Sequence, residues 1–222
     1  MELEIMELKK LPEKDFFFSK KIEKKDEELF IMRYKVLTRS IKGLTENFLV
    51  DLKRLKELLL INKGKTHCKF YYLEENNSLN IGLSFSDNND CTILENEDIL
   101  YVLNNELFIE TDFKIFKDLV NAFDTGIGNK LVKQTNTSTK IVHYDFETVE
   151  SYITTLELHI SVNQLKFNMF QYRSTDLNDL PLPYFASKNN KVAFCVHALI
   201  NNPENKNPQG ESDGYDLGNL MP

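Results

Sequence analysis

The chain has 222 residues, 41% of them hydrophobic, and a formal net charge of −7, so it is long enough to bury a core without disulfides. The negative charge argues against direct nucleic-acid binding, which depends on clusters of Lys and Arg. The sequence also contains no apolar run of about 18 residues, the length that a membrane-spanning helix needs. The three cysteines, Cys68, Cys91 and Cys195, are odd in number and widely spaced, which fits reduced thiols better than a disulfide framework. We therefore expect a protein of the cytoplasm or of a particle assembled there.

The N-terminal third predicts a charged arm followed by helix. Residues 1–28 form the arm, which carries the apolar stretch Phe16-Phe17-Phe18. Residues 29–62 predict a basic helical region, because apolar residues from Phe48 to Leu59 recur at spacings of three and four. Thr45 is the expected N-cap of this helix, and Gly64 lies where the helix should stop.

The middle of the chain changes to a strand pattern and then returns to a helix. Short aromatic or β-branched segments at 67–73, 79–86, 98–103 and 106–110 are separated by Asn- and Asp-rich turns, which predicts an antiparallel meander. A central helix is predicted near 111–124, capped at Thr111 or Asp112. Its apolar stripe consists of Phe113, Phe116, Leu119, Val120 and Phe123.

The last third predicts further strands and an extension. Residues 140–144 favour a strand, 146–156 fit either a helix or a strand, and 158–169 predict a hairpin that turns at Asn163-Gln164. Residues 176–222 hold five of the six prolines and one apolar strand at 192–199. The predicted fold is therefore α+β with mainly antiparallel sheet, a core domain at 29–175 and a Pro-rich C-terminal extension.

Charge is segregated along the chain. Residues 29–69 carry ten Lys and Arg against three acids, whereas residues 70–113 carry ten acids and no Lys or Arg. Two interpretations follow. In the first, the two segments pack together and neutralise each other. In the second, the acidic segment, with Glu95, Glu97 and Asp98 at its centre, presents a face to a basic partner.

Residues 123–130, "FDTGIGNK", resemble two enzyme motifs. The D-T-G at Asp124 resembles the catalytic loop of aspartic proteases, and the D-x-G-x-G pattern resembles the adenine-binding box of histidine-kinase-type ATPases. The first chemistry needs a second carboxylate, and the second needs a distant Asn-bearing helix and another glycine box. We find neither companion in the sequence. The preferred interpretation is that Gly126 ends a helix, Gly128 opens the next turn, and Asp124 binds no ligand.

The histidines and cysteines show no metal-binding spacing. A zinc site from His67, Cys68, Cys195 and His197 requires distant strands to meet, and a nucleophilic pair of Cys195 with His143 has no local support. Cys195 lies in an apolar run, where a thiol is usually buried and inert. The sequence therefore predicts no catalytic, cofactor-binding or metal-ligating residue.

The C-terminal tail is a polar segment followed by a few apolar residues, which is the arrangement found in docking peptides. These residues are Tyr215, Leu217, Leu220 and Met221, and they are expected to dock on a partner, on a sister subunit or on their own sheet. The predicted function is a non-enzymatic interaction protein, a subunit or adaptor of a bacterial or phage-type assembly, attached through its arm and tail.

Two alternatives remain open. The first is an acidic inhibitor or immunity-type protein that binds a basic partner through Glu95, Glu97 and Asp98. The second is an enzyme without recognisable local motifs. Its nominal catalytic candidates are Asp124, His143, Asp145 and His197.

Overall fold

A computed structural model describes residues 20–157, 162–173, 188–201, 208–216 and 219–221. The helices of these residues are α1 (Lys24–Ser40), α2 (Leu52–Ile61), α3 (Phe113–Thr125), α4 (Ile127–Thr135) and α5 (Phe146–Glu157). Most of the predicted arm, residues 1–19 with the Phe16-Phe17-Phe18 stretch, lies outside the described residues.

Two antiparallel sheets organise the chain. The first sheet contains β1 (Lys20–Lys21), β2 (Asn47–Asp51), β8 (Val162–Gln171), β9 (Val192–Asn201), β10 (Pro208–Glu211) and β11 (Tyr215–Asp216). The meander sheet contains β3 (His67–Glu75), β4 (Ser78–Ser86), β5 (Ile99–Asn104), β6 (Leu107–Glu110), β7 (Ile141–Asp145) and β12 (Asn219–Met221). Their strand orders are β1-β11-β9-β8-β2, with β10 beside β9, and β12-β7-β3-β4-β5-β6. The predicted α+β class is confirmed.

The main core lies where the two sheets face each other. The ring of Phe70 on β3 packs edge-on against Phe167 of β8 and Phe194 of β9, with centroids 5.5 and 5.6 Å away. On the other face of the first sheet, Phe30 of α1 stacks on Phe170 at 5.8 Å. Alternate residues of β8 and β9 therefore serve two cores, as the two-residue period of a strand requires.

The meander and the central helix form as predicted. β3 to β6 pair in sequence order, and the turn between β3 and β4 places Asn76 and Asn77 at positive φ of 51° and 61°, which Asn tolerates well. Asp112 caps α3 by accepting a hydrogen bond from the Ile115 amide at 2.8 Å. α5 resolves the ambiguous segment after residue 145 as a helix.

The prediction that a helix begins directly after Thr45 is wrong, because α2 begins only at Leu52. Residues 47–51 form β2, which pairs with β8, and Asp51 caps α2 by accepting from the Arg54 amide at 2.6 Å. Thr45 instead donates its hydroxyl to the Leu79 carbonyl at 2.7 Å. Phe48 fits the helical spacing with Leu52 as well as the strand alternation with Val50, because a short apolar run does not distinguish the two periods.

The hairpin turn predicted at Asn163-Gln164 is also wrong. β8 continues through both residues, with β2 on one side and β9 on the other. The pairing of β8 with β9 shifts between Val162 and Gln164. Asn163 and Gln164 are polar residues at this irregularity in the strand pairing, and in the sequence such a pair has the same composition as a turn. Residues 158–161, the predicted first strand of that hairpin, lie outside the described residues.

The C-terminal segment adds strands to both sheets. β11 lies between β1 and β9, and β12 pairs with β7, where Leu220 is opposite Val142. None of the helices in the described ranges combines the length and the apolar character that crossing a membrane requires.

Candidate functional site

A buried cluster of acid, thiol and imidazole lies between α1 and the first sheet. Cys195 and His197 are two residues apart on β9, so their side chains point to the same face of the strand. That face lies against α1, whose first turns supply Glu27. Cys195 is 0% exposed, and the side chains of His197 and Glu27 are only 7% and 10% exposed.

The imidazole of His197 is held from both ring nitrogens. Its Nδ1 lies 2.7 Å from the Ser212 carbonyl oxygen, and its Nε2 lies 2.6 Å from Glu27 Oε1. The sulfur of Cys195 is 3.4 Å from that carboxylate oxygen and also 3.4 Å from Nε2. Three different metal-ligating atoms therefore converge within 4.8 Å of one another.

The two charged groups of the cluster stabilise each other. Burial alone would lower the pKa of His197, but the hydrogen bond and the negative charge of Glu27 outweigh it, and the pKa is raised. Burial alone would raise the pKa of Glu27, but the hydrogen bond and charge of His197 outweigh it, and the pKa is lowered. Their hydrogen bond and charges therefore favour the ionised form of each group, and the Cys195 sulfur contacts both.

Only part of this cluster matches the sequence-based possibilities. Cys195 meets His197 and Glu27, whereas His143 lies on β7 and His67 and Cys68 lie on β3, all in the meander sheet. The spacing of Cys195 and His197 in a strand could have indicated a shared face. Glu27 gave no signal, because it is one of many charges in the N-terminal arm.

A groove between α2 and α5 is the second candidate site. It has a volume of about 360 Å³, and its lining residues are Lys53, Lys56, Glu57, Leu59 and Leu60 from α2 and Glu150, Ile153 and Thr154 from α5. Leu60 and Ile61, at the end of α2, are 74% and 70% exposed. The groove therefore combines an apolar edge with nearby lysines. Lys63, just beyond α2, also lies 4.0 Å from Glu150.

A row of buried polar residues crosses the meander sheet. Lys69 of β3 pairs with Ser84 on one side and His143 on the other, and all three side chains are buried. Lys69 Nζ lies 3.3 Å from the Ser86 hydroxyl. Within the described residues, the two ring nitrogens of His143 and the hydroxyl of Ser84 have no hydrogen-bond partner.

The nominal catalytic residues do not come together. Asp124 Oδ2 pairs with Lys140 Nζ at 2.9 Å, Asp145 Oδ1 lies 3.6 Å from His67 Nδ1, and His197 pairs with Glu27. His143 contacts His67 through their rings, whose centroids are 4.6 Å apart.

The "FDTGIGNK" stretch has a helical context, as predicted. Asp124 belongs to α3, but Gly128 does not open a turn, because α4 begins at Ile127 and contains it. Asp124, Gly128 and Lys140 line a cavity of about 200 Å³. The part of this lining that the structure describes holds no second carboxylate, and the paired-acid chemistry of aspartic proteases needs one.

The predicted partner-binding residues have different surroundings. Tyr215 is buried and its ring packs against Tyr152 at 5.9 Å, while Leu220 and Met221 are partly buried in β12. Leu217 lies outside the described residues.

The acidic residues also differ. Glu95 and Glu97 are exposed, whereas Asp98 is buried and accepts a hydrogen bond from the Leu94 amide at 3.0 Å. Lys65 forms an ion pair with Asp87 at 2.8 Å, so the basic and acidic segments contact each other at this point.

Comparison with known proteins gave no match to a family model, to a curated protein or to a solved structure.

Proposed function

We propose that this protein is a non-enzymatic subunit of a protein assembly and that the α2/α5 groove is its attachment site. The observation that supports this is the exposure of Leu60, which lines the groove and is 74% exposed, while the next residue, Ile61, is an exposed apolar residue outside the lining. Large apolar side chains that stay in water next to a concave surface mark sites of protein association. The assembly forms in the cytoplasm, where the cysteines stay reduced.

The groove suits an acidic segment with apolar side chains. Lys53 and Lys56 line the groove together with two acids. Those acids already face other bases, because Glu57 lies 3.4 Å from Arg54 and Glu150 lies 4.0 Å from Lys63. The chain itself contains such a segment, since residues 1–8 hold five apolar residues and three acids, Glu2, Glu4 and Glu7, without a basic residue. The occupant is this segment of a sister subunit.

The two parts of the contact have separate roles. Leu60 and Ile61 would lose water contact against the apolar residues of the arm, which gives most of the affinity. The lysines around the groove would attract Glu2, Glu4 and Glu7, which raises the association rate and makes it sensitive to salt.

Sedimentation velocity of the full chain over a range of concentrations tests the proposal. The wild type is expected to self-associate, and Leu60→Glu is expected to weaken association at least tenfold, because it places a like charge against the acidic arm. Met32→Glu is the matched control, since Met32 is an exposed apolar residue at 63% on α1, outside the groove lining. A chain that stays monomeric at all concentrations overturns the proposal.

A charge exchange identifies the occupant. Glu4→Lys with Glu7→Lys should weaken self-association, and Lys53→Glu with Lys56→Glu in the same chain should restore it in part. If the arm variant associates like the wild type, then the arm is not the occupant. Because charge contributes to the contact, the wild type should associate more weakly at 0.5 M than at 0.05 M salt. Equal association at the two salt concentrations would show that charge does not contribute.

A further inference from the structure

We propose that Glu27, Cys195 and His197 bind one Zn²⁺ ion and that this ion fastens α1 to the first sheet. Thiolate, imidazole and carboxylate are the three protein ligand types that zinc uses, and a Cys–His–acid set suits it better than calcium or magnesium, which need oxygen ligands.

The distances are close to those of a tetrahedral zinc site. Zn–S of about 2.3 Å and Zn–N and Zn–O of about 2.0–2.2 Å place the ligand atoms about 3.4–3.6 Å from one another. Cys195 Sγ is already 3.4 Å from Glu27 Oε1 and from His197 Nε2. Only the 2.6 Å separation of Oε1 and Nε2 must widen, by about 1 Å, which a small rotation of the Glu27 side chain provides.

The surroundings of His197 are those of a metal ligand. Its Nδ1 faces the Ser212 carbonyl oxygen at 2.7 Å, so Nδ1 carries a hydrogen and donates it. A backbone acceptor on one ring nitrogen commonly fixes the tautomer in which the other nitrogen has a free lone pair for a metal. That other nitrogen is Nε2, the atom that faces Cys195 and Glu27.

The chain encloses the cluster rather than opening it to substrate. A Cβ at Gly214 would lie 2.6 Å from Glu27 Oε2 and 2.9 Å from His197 Nε2, so this position needs glycine for the backbone to pass so close. The Gly214 carbonyl accepts a hydrogen bond from the Ile22 amide at 3.1 Å. The burial of its three ligands favours a structural role for the bound ion, although three protein ligands leave a fourth position, which Glu27 Oε2 or one water molecule would take.

A nucleophilic cysteine is the competing use of these residues, and the geometry disfavours it. In Cys–His hydrolases, one ring nitrogen accepts the thiol proton while the other is held by the third residue. Here the same Nε2 contacts both Cys195 and Glu27, and Cys195 is fully buried.

Metal analysis of the full chain, together with cobalt substitution, tests the site. Purified protein supplied with ZnSO₄ and then desalted should retain one zinc per chain. Replacement by Co²⁺ should give the near-ultraviolet absorption of a cobalt–thiolate bond. Cys195→Ser should abolish that band, and Glu27→Gln should weaken Zn²⁺ binding about tenfold or more.

Cys91→Ser is the matched control, because Cys91 is the partly exposed cysteine and lies outside the cluster. It should keep both the band and the zinc content. A wild-type chain that retains no zinc and shows no thiolate band overturns the proposal, whether or not the variants fold. A band that persists in Cys195→Ser but disappears in Cys91→Ser overturns it as well.

Discussion

Lys69 of β3 lies directly opposite His143 of β7, and both side chains are buried. Burial lowers the pKa of His143, and the neighbouring His67 and Lys69 lower it further, while Asp145 opposes them. Burial also lowers the pKa of Lys69, although Asp98 and Asp90 act against it. Two basic groups in one buried row favour the neutral form of the imidazole.

The first prediction is that His143 makes the protein less stable in mild acid. Above an unfolded-state pKa of about 6.5, His143 is neutral in both states and has no effect. Below that pH, the unfolded chain takes up the proton first, because the folded-state pKa is lowered. The free energy of unfolding therefore falls as the pH decreases, until the pH passes the folded-state pKa.

Urea unfolding at pH 7.5, 6.0 and 5.0 checks this prediction. His143→Gln keeps a neutral polar side chain but cannot titrate, so its stability should fall less with pH than that of the wild type. The difference between the two profiles isolates His143 from the other titrating groups. Parallel profiles would show that His143 has the same pKa in both states.

The second prediction separates Asp98 from its acidic neighbours. Asp98→Lys should lower the free energy of unfolding by about 3 kcal/mol, because it removes a buried hydrogen-bond acceptor and adds a cation near Lys69. Glu95→Lys and Glu97→Lys should change it by less than about 0.5 kcal/mol, because both residues are exposed.

Chemical denaturation of the three variants measures this contrast. Equal losses in all three would mean that Asp98 is not buried as the structure shows. The acidic-inhibitor alternative is accordingly best tested with Glu95→Lys and Glu97→Lys, whose effects on association would not be confused with unfolding.

The sequence predicts the meander and the central helix well, because their signals are local. Asn and Asp mark the turns, and the stripe that includes Phe116 and Phe123 has the helical period. The sequence-based prediction fails at β2, where Phe48 fits both the helical and the strand period, and at β8, where Asn163-Gln164 resembles a turn. These segments become strands through pairing with distant partners, which local propensity does not encode.

The candidate sites depend even more on distant residues. The spacing of Cys195 and His197 on one strand indicates that they share a face. Glu27, in contrast, is 168 residues before Cys195, and it reaches the cluster only because α1 packs on the first sheet. Similarly, the α2/α5 groove exists only after α5 docks beside α2. Sequence spacing predicts neither contact.

The third prediction concerns Gly126 in the "FDTGIGNK" stretch. Gly126 ends α3 and precedes α4, and Glu74 reaches this junction to accept a hydrogen bond from the Ile127 amide at 2.6 Å. A Cβ at position 126 would collide with the Glu74 carboxylate and would lie 2.8 Å from the Ala122 carbonyl oxygen. Gly126→Ala should therefore lower the free energy of unfolding by about 2 kcal/mol.

Gly210→Ala is the control for this substitution, since no atom of the described residues lies within 4 Å of its added Cβ. It should alter stability by less than about 0.5 kcal/mol. Glu74→Gln should cost about 0.5–1 kcal/mol, because it keeps an acceptor at the start of α4 but removes the negative charge that favours a helix N-terminus. If Gly126→Ala matches Gly210→Ala in thermal unfolding, then close approach is not the reason for glycine at this position.

The last prediction is that the C-terminal segment stabilises its own subunit. Tyr215 is buried against Tyr152, with ring centroids 5.9 Å apart, and it pairs with Val196 of β9. Tyr215→Ala should lower the free energy of unfolding by about 3 kcal/mol, as large-to-small changes in a core do.

Removal of residues 208–222 should cost more, because it also takes away β10 and β12 and leaves the edge of β7 without its partner. Glu211→Ala is the control within the same segment, since it removes a half-exposed ion pair with Lys166 and a longer, 3.9 Å contact with His197, and it should cost less than about 1 kcal/mol. Urea unfolding measures all three variants. A truncated chain as stable as the wild type would mean that the segment does not contribute to the fold, and its apolar residues would then be available to a partner.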